Sequence, residues 1–244
     1  MLFPEAVSSL LRELAAIPYE NLSKAVAFQR GRNLESALDF SSTWLEDHRH
    51  QGLGGTCFAL THWLKLKMDG LGYSTAYLMA DKRQARNVHC GLLFEQGGTA
   101  FLLDPGYLIF EPLPLPKAGL SAVAFSSPNE IKVEDGEGVW RLHTGQAGAL
   151  KHRFDFRKES VPLIEFQKYW EESYQWPMMR YPVLNRVAGG VQYYLQKNNL
   201  LTRTVAGGEM RRLSPSELAE AARSVFGLPG ELVDEALGLM GFGR

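Results

Sequence analysis

The sequence is poor in cysteine, with only Cys57 and Cys90 among 244 residues. Two thiols cannot build the disulfide framework of a small secreted domain, nor a structural zinc site made mainly of thiolates. A reduced, cytoplasmic protein with no metal site is expected. No apolar run approaches the ~18 residues of a membrane span, and Met1–Glu5 carries an early acid where a secretory leader would be basic. Secretion and membrane insertion are therefore not expected. Charge excess of either sign is also missing, because 26 Lys and Arg nearly balance 27 Asp and Glu. Without a global positive field, nucleic acid is not an expected partner. Internal repeats, low-complexity tracts and a phosphate-binding Gly-rich loop of specific spacing are absent as well.

What is present is the mixture of an ordinary globular chain, 45% hydrophobic and 22% charged. Its length suits one large domain or roughly two to three small ones around a shared core. Val7, Leu10, Leu11 and Leu14 recur at helical spacing and predict a helix over about residues 4 to 16. A second helical stretch covers Leu34 to Arg49, with a break near Ser41-Ser42. The glycines at 52, 54 and 55 force a turn, after which Thr56 is placed to N-cap a helix from Cys57 to Met68 that ends at Gly70 and Gly72. From Ser74 the character changes to short strands, Ser74–Ala80, Val88–Phe94 and Thr99–Leu103, and later Val139–His143 and Leu150–Phe156. Pro112 to Pro116 reads as a linker between these two groups. The last third carries a helix near Leu163–Tyr174, a hairpin around Gly207-Gly208, and a helix opened by Ser214-Pro215-Ser216-Glu217, a capping box with Pro at N1. The class is α+β, helices first and strands in the middle.

A thiol attacks as thiolate, so a nucleophilic cysteine needs local positive potential to lower its pKa from about 8.5 into the range of roughly 3.5 to 7.5. Cys57 has such a location. In the first turn of a helix, unpaired N–H groups and the positive dipole end favour an anion, and the glycines before it leave N–H groups able to face an oxyanion. The hairpin around Gly97-Gly98 supplies partners. A loop of Gln96-Gly97 or of Glu95 to Gly98 pairs Phe94 with Thr99, so that Leu92 faces Phe101, Cys90 faces Leu103 and His89 faces Asp104. Directly opposed Cβ atoms lie about 4.5 to 5.5 Å apart, close enough for Asp104 to orient the imidazole. Cys57, His89 and Asp104 together make a Cys–His–Asp relay, whereas Cys90 points to the opposite, apolar face. The remaining histidines carry less. His62 lies five positions beyond Cys57 and is rotated off its face, His48 and His50 sit in a charged run, and no acidic partner is assignable to His143 or His152.

On three stretches the sequence resembles the arylamine N-acetyltransferase family. Ile17-Pro18-Tyr19-Glu20-Asn21-Leu22 is similar to its Pro-Phe-Glu-Asn-Leu, Gly54-Gly55-Thr56-Cys57-Phe58 to its Arg-Gly-Gly-x-Cys-Phe, and Leu103-Asp104-Pro105-Gly106-Tyr107 to its Asp-Val-Gly-Phe. The resemblance implies an N-terminal helical bundle over 1–72, a central antiparallel β-barrel over 73–160 and a C-terminal α/β lid over 161–244, around a cysteine-protease-like core. It implies ping-pong transfer of an acetyl or other short acyl group from acetyl-CoA or a related acyl-CoA, through Cys57, to an arylamine, hydrazine or N-hydroxyarylamine. Gly55, Thr56, Phe58, Gly106 and Tyr107, which flank the nucleophile and the acid, are the expected substrate-binding positions. Three positions depart from the family pattern: Leu53 replaces Arg, Ala59 replaces Glu, and Leu108 stands where a second Gly would follow the Asp motif. No CoA fingerprint is present, and Lys82-Arg83, Arg86 and Lys151-His152-Arg153 read as surface charge. Two further readings stay open, a transglutaminase-like or papain-like thiol hydrolase with the same residue order, and a non-catalytic relative that binds a ligand in the same pocket.

Overall fold

The computed structural model describes residues 3–31, 50–83, 85–146 and 148–243. The helix expected over Leu34 to Arg49, with His48, lies outside the described residues. Those that are described form two compact units, one within residues 1–15 and 60–169, the other within 16–59 and 170–244.

The first unit opens with α1, Glu5–Ala15, which buries Val7, Leu11 and Leu14 on one face as its periodicity requires. Eight antiparallel strands follow: β2 Thr75–Lys82, β3 Ala85–Gln96, β4 Thr99–Asp104, β5 Ile109–Pro114, β6 Ser121–Ser126, β7 Asn129–Asp135, β8 Val139–Gln146 and β9 Ala149–Val161. Their spatial order is β5-β4-β3-β2-β9-β8-β7-β6, a nearly closed barrel. Where the two ends of the sheet meet, Ser126 Oγ donates to the Leu108 carbonyl at 3.1 Å. Alternation along the strands turns Leu78, Ala80, Leu102, Ile131, Val133, Leu142 and Phe156 into the core. The segment read as a Pro-rich linker is in part β5, because an edge strand loses nothing when a proline cannot donate on its unpaired side.

The second unit holds a five-stranded antiparallel sheet in the order β1-β10-β11-β12-β13. Its first strand is the pair Tyr19–Glu20, and the others are Val183–Ala188, Val191–Gln196, Asn199–Thr204 and Gly207–Arg212. Helix α2, Leu22–Gly31, and the C-terminal helices Pro215–Ser224 and Gly230–Leu239 give this unit its core of Leu22, Val26, Leu184, Leu195, Leu218, Phe226 and Val233. The capping box forms as read: Ser214 Oγ accepts from the Glu217 N–H, and the Glu217 carboxylate accepts from the Ser214 N–H at 2.8 Å. Helix α3, Cys57–Gly70, begins in this unit and continues into the other.

Candidate active site

Cys57 is the first residue of α3 and is 3% exposed. The turn before it is locked by the segment Pro18–Glu20. Glu20 N donates to the Gly55 carbonyl at 3.0 Å, Gly55 N donates to the Pro18 carbonyl at 3.4 Å, and Tyr19 and Gly55 form a parallel bridge. A Cβ on Gly54 would lie 1.9 Å from the Pro18 carbonyl oxygen, so only glycine fits there. The Glu20 carboxylate is fully buried; it accepts from the Ser23 N–H at 2.9 Å and from the Ser23 hydroxyl, and burial pushes its pKa above the usual carboxylate range. Asn21 donates to the carbonyls of Met178 and Tyr181 and accepts from the Val183 N–H. The Pro-Tyr-Glu-Asn-Leu stretch is thus the brace of the turn that carries the nucleophile candidate.

Thr56 stands in the N-cap position, but its buried hydroxyl has no hydrogen-bond partner among the described residues, so the expected cap bond is not seen there. Phe58 is fully buried, its ring between Trp170 and Trp176 at centroid distances of 6.3 and 5.9 Å.

In the first unit, His89 and Asp104 come together as the sequence predicts, though by a different register. Gln96 pairs with Thr99, Phe94 with Phe101 and Leu92 with Leu103, two residues away from the expected pairing. Gly97 and Gly98 both adopt positive φ, so the loop is these two residues alone, as a primed two-residue turn demands. A shift by two keeps every side chain on its face, and His89 reaches Asp104 diagonally instead of directly. His89 Nε2 lies 2.9 and 2.8 Å from the two Asp104 oxygens, in a pair that is 4% and 0% exposed. The intervening Gly91 has no room for a Cβ, which would meet Leu102 at 2.9 Å and the Leu103 carbonyl at 3.0 Å.

Asp104 has a second task. It precedes the 3₁₀ turn Pro105–Tyr107 and accepts from the Tyr107 N–H at 2.9 Å, so the turn fixes the carboxylate that fixes the imidazole. Gly106 is buried within that turn and Tyr107 packs edge-on against His89 at 6.1 Å. Phe154 stacks on the imidazole, at 4.2 Å and 15° between planes, and Phe156 meets it edge-on. The signal for this cage was in the sequence as Asp-Pro-Gly, an Asx-turn opening; nothing local pointed to Phe154.

The other histidines have separate partners. His62 Nδ1 is 2.6 Å from the Tyr77 hydroxyl in the core. His152 Nε2 is 2.9 Å from Asp155, and His143 Nε2 is 3.1 Å from a Glu134 oxygen without the alignment of a hydrogen bond. Cys90 is fully buried, 3.6 Å from the Thr61 hydroxyl. Among the described residues no group of three or more His, Cys, Asp or Glu is arranged to hold a metal ion, and no helix is long and apolar enough to cross a membrane.

A family described as N-acetyltransferase matches residues 5–233 of this chain. A comparison with curated proteins gives no match. Among solved structures, the arylamine N-acetyltransferase of Nocardia farcinica is similar at 20% identity over 97% of this chain and 88% of its own, with a TM-score of 0.80. The Mycobacterium marinum arylamine N-acetyltransferase in complex with CoA is similar at 18% identity, 98% and 90% coverage and a TM-score of 0.79. The enzyme from Salmonella typhimurium is similar at 16% identity, 98% and 93% coverage and a TM-score of 0.76. These likenesses give the fold, and the family match spans nearly the whole chain. The chain therefore belongs, as a divergent member, to the arylamine N-acetyltransferase family of enzymes.

Proposed function

We propose that this enzyme moves an acetyl or other short acyl group from an acyl-CoA to an arylamine, hydrazine or N-hydroxyarylamine, with Cys57 as nucleophile, His89 as its base and Asp104 as the residue that orients the base. The observation that carries this reading is the buried His89–Asp104 contact in a chain of this family. Asp104 takes Nε2, so the nitrogen acting on the thiol is Nδ1.

In the first half-reaction the Cys57 thiolate attacks the thioester carbonyl, the bond from that carbon to the CoA sulfur breaks, and the imidazolium protonates the leaving thiolate. In the second, the amine nitrogen attacks the Cys57 thioester, its proton passes to His89, and the thiolate is regenerated with the amide. One thioester is exchanged for another at little thermodynamic cost, so the acyl-enzyme accumulates and the kinetics are ping-pong. Gly55, Thr56, Phe58, Gly106 and Tyr107 are proposed as the positions that meet the acyl group and acceptor. A cytoplasmic setting agrees with two free cysteines. No observation favours the hydrolase or the non-catalytic reading over this one.

Intact mass spectrometry after mixing with a panel of acyl-CoAs tests the proposal. The expected result is one acyl group on wild-type protein, none on Cys57→Ala, and discharge by an added arylamine or hydrazine. No adduct with any acyl-CoA, or turnover of peptide amides without one, would overturn it.

A further inference from the structure

Strand β9 carries one residue more than its partner β8. Leu142 pairs with Phe154 and His143 with His152, which leaves Arg153 as the extra residue of a β-bulge. A bulge breaks the alternation of side chains and re-aims one of them. Without it, Arg153 would point away from the face that carries Phe154. With it, Arg153 Nε donates to Thr144 Oγ1 at 2.8 Å, a hydroxyl that is buried and lies 3.3 Å from the Tyr107 hydroxyl. Tyr107 and Phe154 are the two rings packed against His89 and against each other, at 5.4 Å. On the same Phe154 ring, Lys82 Nζ lies 5.8 Å from the centroid.

Two cations therefore flank the aromatic cage of the histidine, and among the described residues neither has a carboxylate within 4.0 Å. The acids nearby are engaged elsewhere, Asp155 with His152 and Asp81 with the Asn87 N–H. The neighbouring basic residues of the same segment do not share this placement: Lys151 and His152 are exposed, and His152 is bonded to Asp155. The half-buried Arg153 guanidinium is held by Thr144, with Nε on its hydroxyl and one Nη2 N–H on its carbonyl at 3.5 Å, and the remaining Nη1 and Nη2 N–H groups form a fork for two oxygens of an anion.

We propose that Arg153 and Lys82 form an anion-recognition subsite beside His89, which takes a carboxylate or phosphate of the small molecule that reaches the histidine. The proposal rests on the reading of His89 as the base of the reaction. Two sources of such an anion exist in that reaction, the phosphates of the acyl donor and an acidic substituent on the acceptor. Arg153 sets the geometry, and Lys82, exposed at the strand end, adds charge.

Calorimetric titration of the full chain with two pairs of probes separates the sources: coenzyme A against pantetheine, and 4-aminobenzoate against aniline. Arg153→Gln is expected to weaken the anionic member of one pair by about tenfold to a hundredfold while leaving its neutral counterpart unchanged, the range set by a charge-assisted hydrogen bond. Arg153→Lys should recover part of the loss, and Lys82→Gln, at an exposed position, should show the same discrimination at smaller size in a protein whose fold is not at risk. The pair that responds names the source. Equal weakening of both members, no change in either pair, or no binding of any probe by the wild-type protein would overturn the subsite. Acylation of Cys57 by the uncharged ester 4-nitrophenyl acetate reports separately on the transfer reaction: a thioester with unaltered discrimination sinks the subsite alone, and discrimination without any thioester sinks the transfer reading alone.

Discussion

His89 Nε2 sits within 2.9 Å of both carboxylate oxygens of Asp104, across a hairpin in which the two residues are diagonal neighbours. A carboxylate in this position accepts the Nε2 proton and leaves Nδ1 as the basic nitrogen. Asp104→Asn keeps an oxygen for the Tyr107 N–H and so should keep the turn. Its amide would donate to Nε2 instead, placing the ring proton on Nδ1 and removing the base. Acylation by acetyl-CoA in a stopped-flow assay should fall by a factor on the order of 10⁴, as in a serine triad, with a melting temperature close to that of the wild type. Normal acylation in this variant would remove Asp104 from the mechanism.

The two thiols should differ in reactivity although both are buried. Cys57 opens a helix, where the dipole favours thiolate, while Cys90 is fully buried with the Thr61 hydroxyl at 3.6 Å. Iodoacetamide at mildly acidic pH is expected to alkylate Cys57 long before Cys90, read by peptide mass mapping of the folded protein. Equal rates would mean that the helix terminus does not activate Cys57.

The faces of the sheet were legible in the sequence, and the register was not. Alternation placed His89 and Asp104 on one side of the hairpin and Cys90 on the other, and an even shift cannot change that. The loop chemistry decides the register: a two-residue primed turn needs positive φ twice, and Gly97-Gly98 is the one dipeptide there that meets it without strain. The brace formed by Glu20 and Asn21 was visible only as a family-like motif, because its partners Gly54, Met178 and Val183 are remote in the chain. The bulge that re-aims Arg153 leaves no local mark at all, since it depends on how many residues β8 offers opposite β9. Strands β5 to β7 were missed in part because Pro112 to Pro116 reads as a linker when its place at a sheet edge is unknown.

Glu20 gives stability a defined dependence on pH. Burial raises its folded-state pKa above the unfolded value. The folded protein then holds a proton that the unfolded chain releases, so this group's contribution is fully present below the unfolded pKa and is lost as pH rises through the folded one. Glu20→Gln keeps an oxygen for the Ser23 donors and cannot ionise. Urea denaturation at a series of pH values should show the variant gaining on the wild type from the ordinary glutamate pKa upward, then holding a constant difference once Glu20 is ionised in both states. A difference independent of pH would show that Glu20 is not the titrating group.

Leu108 closes the 3₁₀ turn after Asp104 at φ 58° and ψ 39°, the left-handed conformation, and it is 5% exposed. The position is the one where a second glycine would follow the Asp motif, and the backbone still adopts the glycine conformation. Two effects oppose each other there. The left-handed conformation costs a residue with a Cβ about 1 kcal/mol, whereas the buried leucine side chain is worth about 2 to 5 kcal/mol against alanine. Packing wins, which explains how a leucine is tolerated. The comparison of two truncations isolates the strain. Leu108→Ala and Leu108→Gly both lose the side chain, but only the second relieves the backbone, so the glycine variant should be the more stable by about 1 kcal/mol. In ordinary helix or strand positions the order is reversed, with glycine the weaker by about 0.5 to 1 kcal/mol. Denaturation midpoints of the two variants measure the difference directly, and an alanine variant as stable as the glycine one or more so would show that the turn before Leu108 relaxes and does not hold the Asp104 carboxylate by strain-bearing geometry.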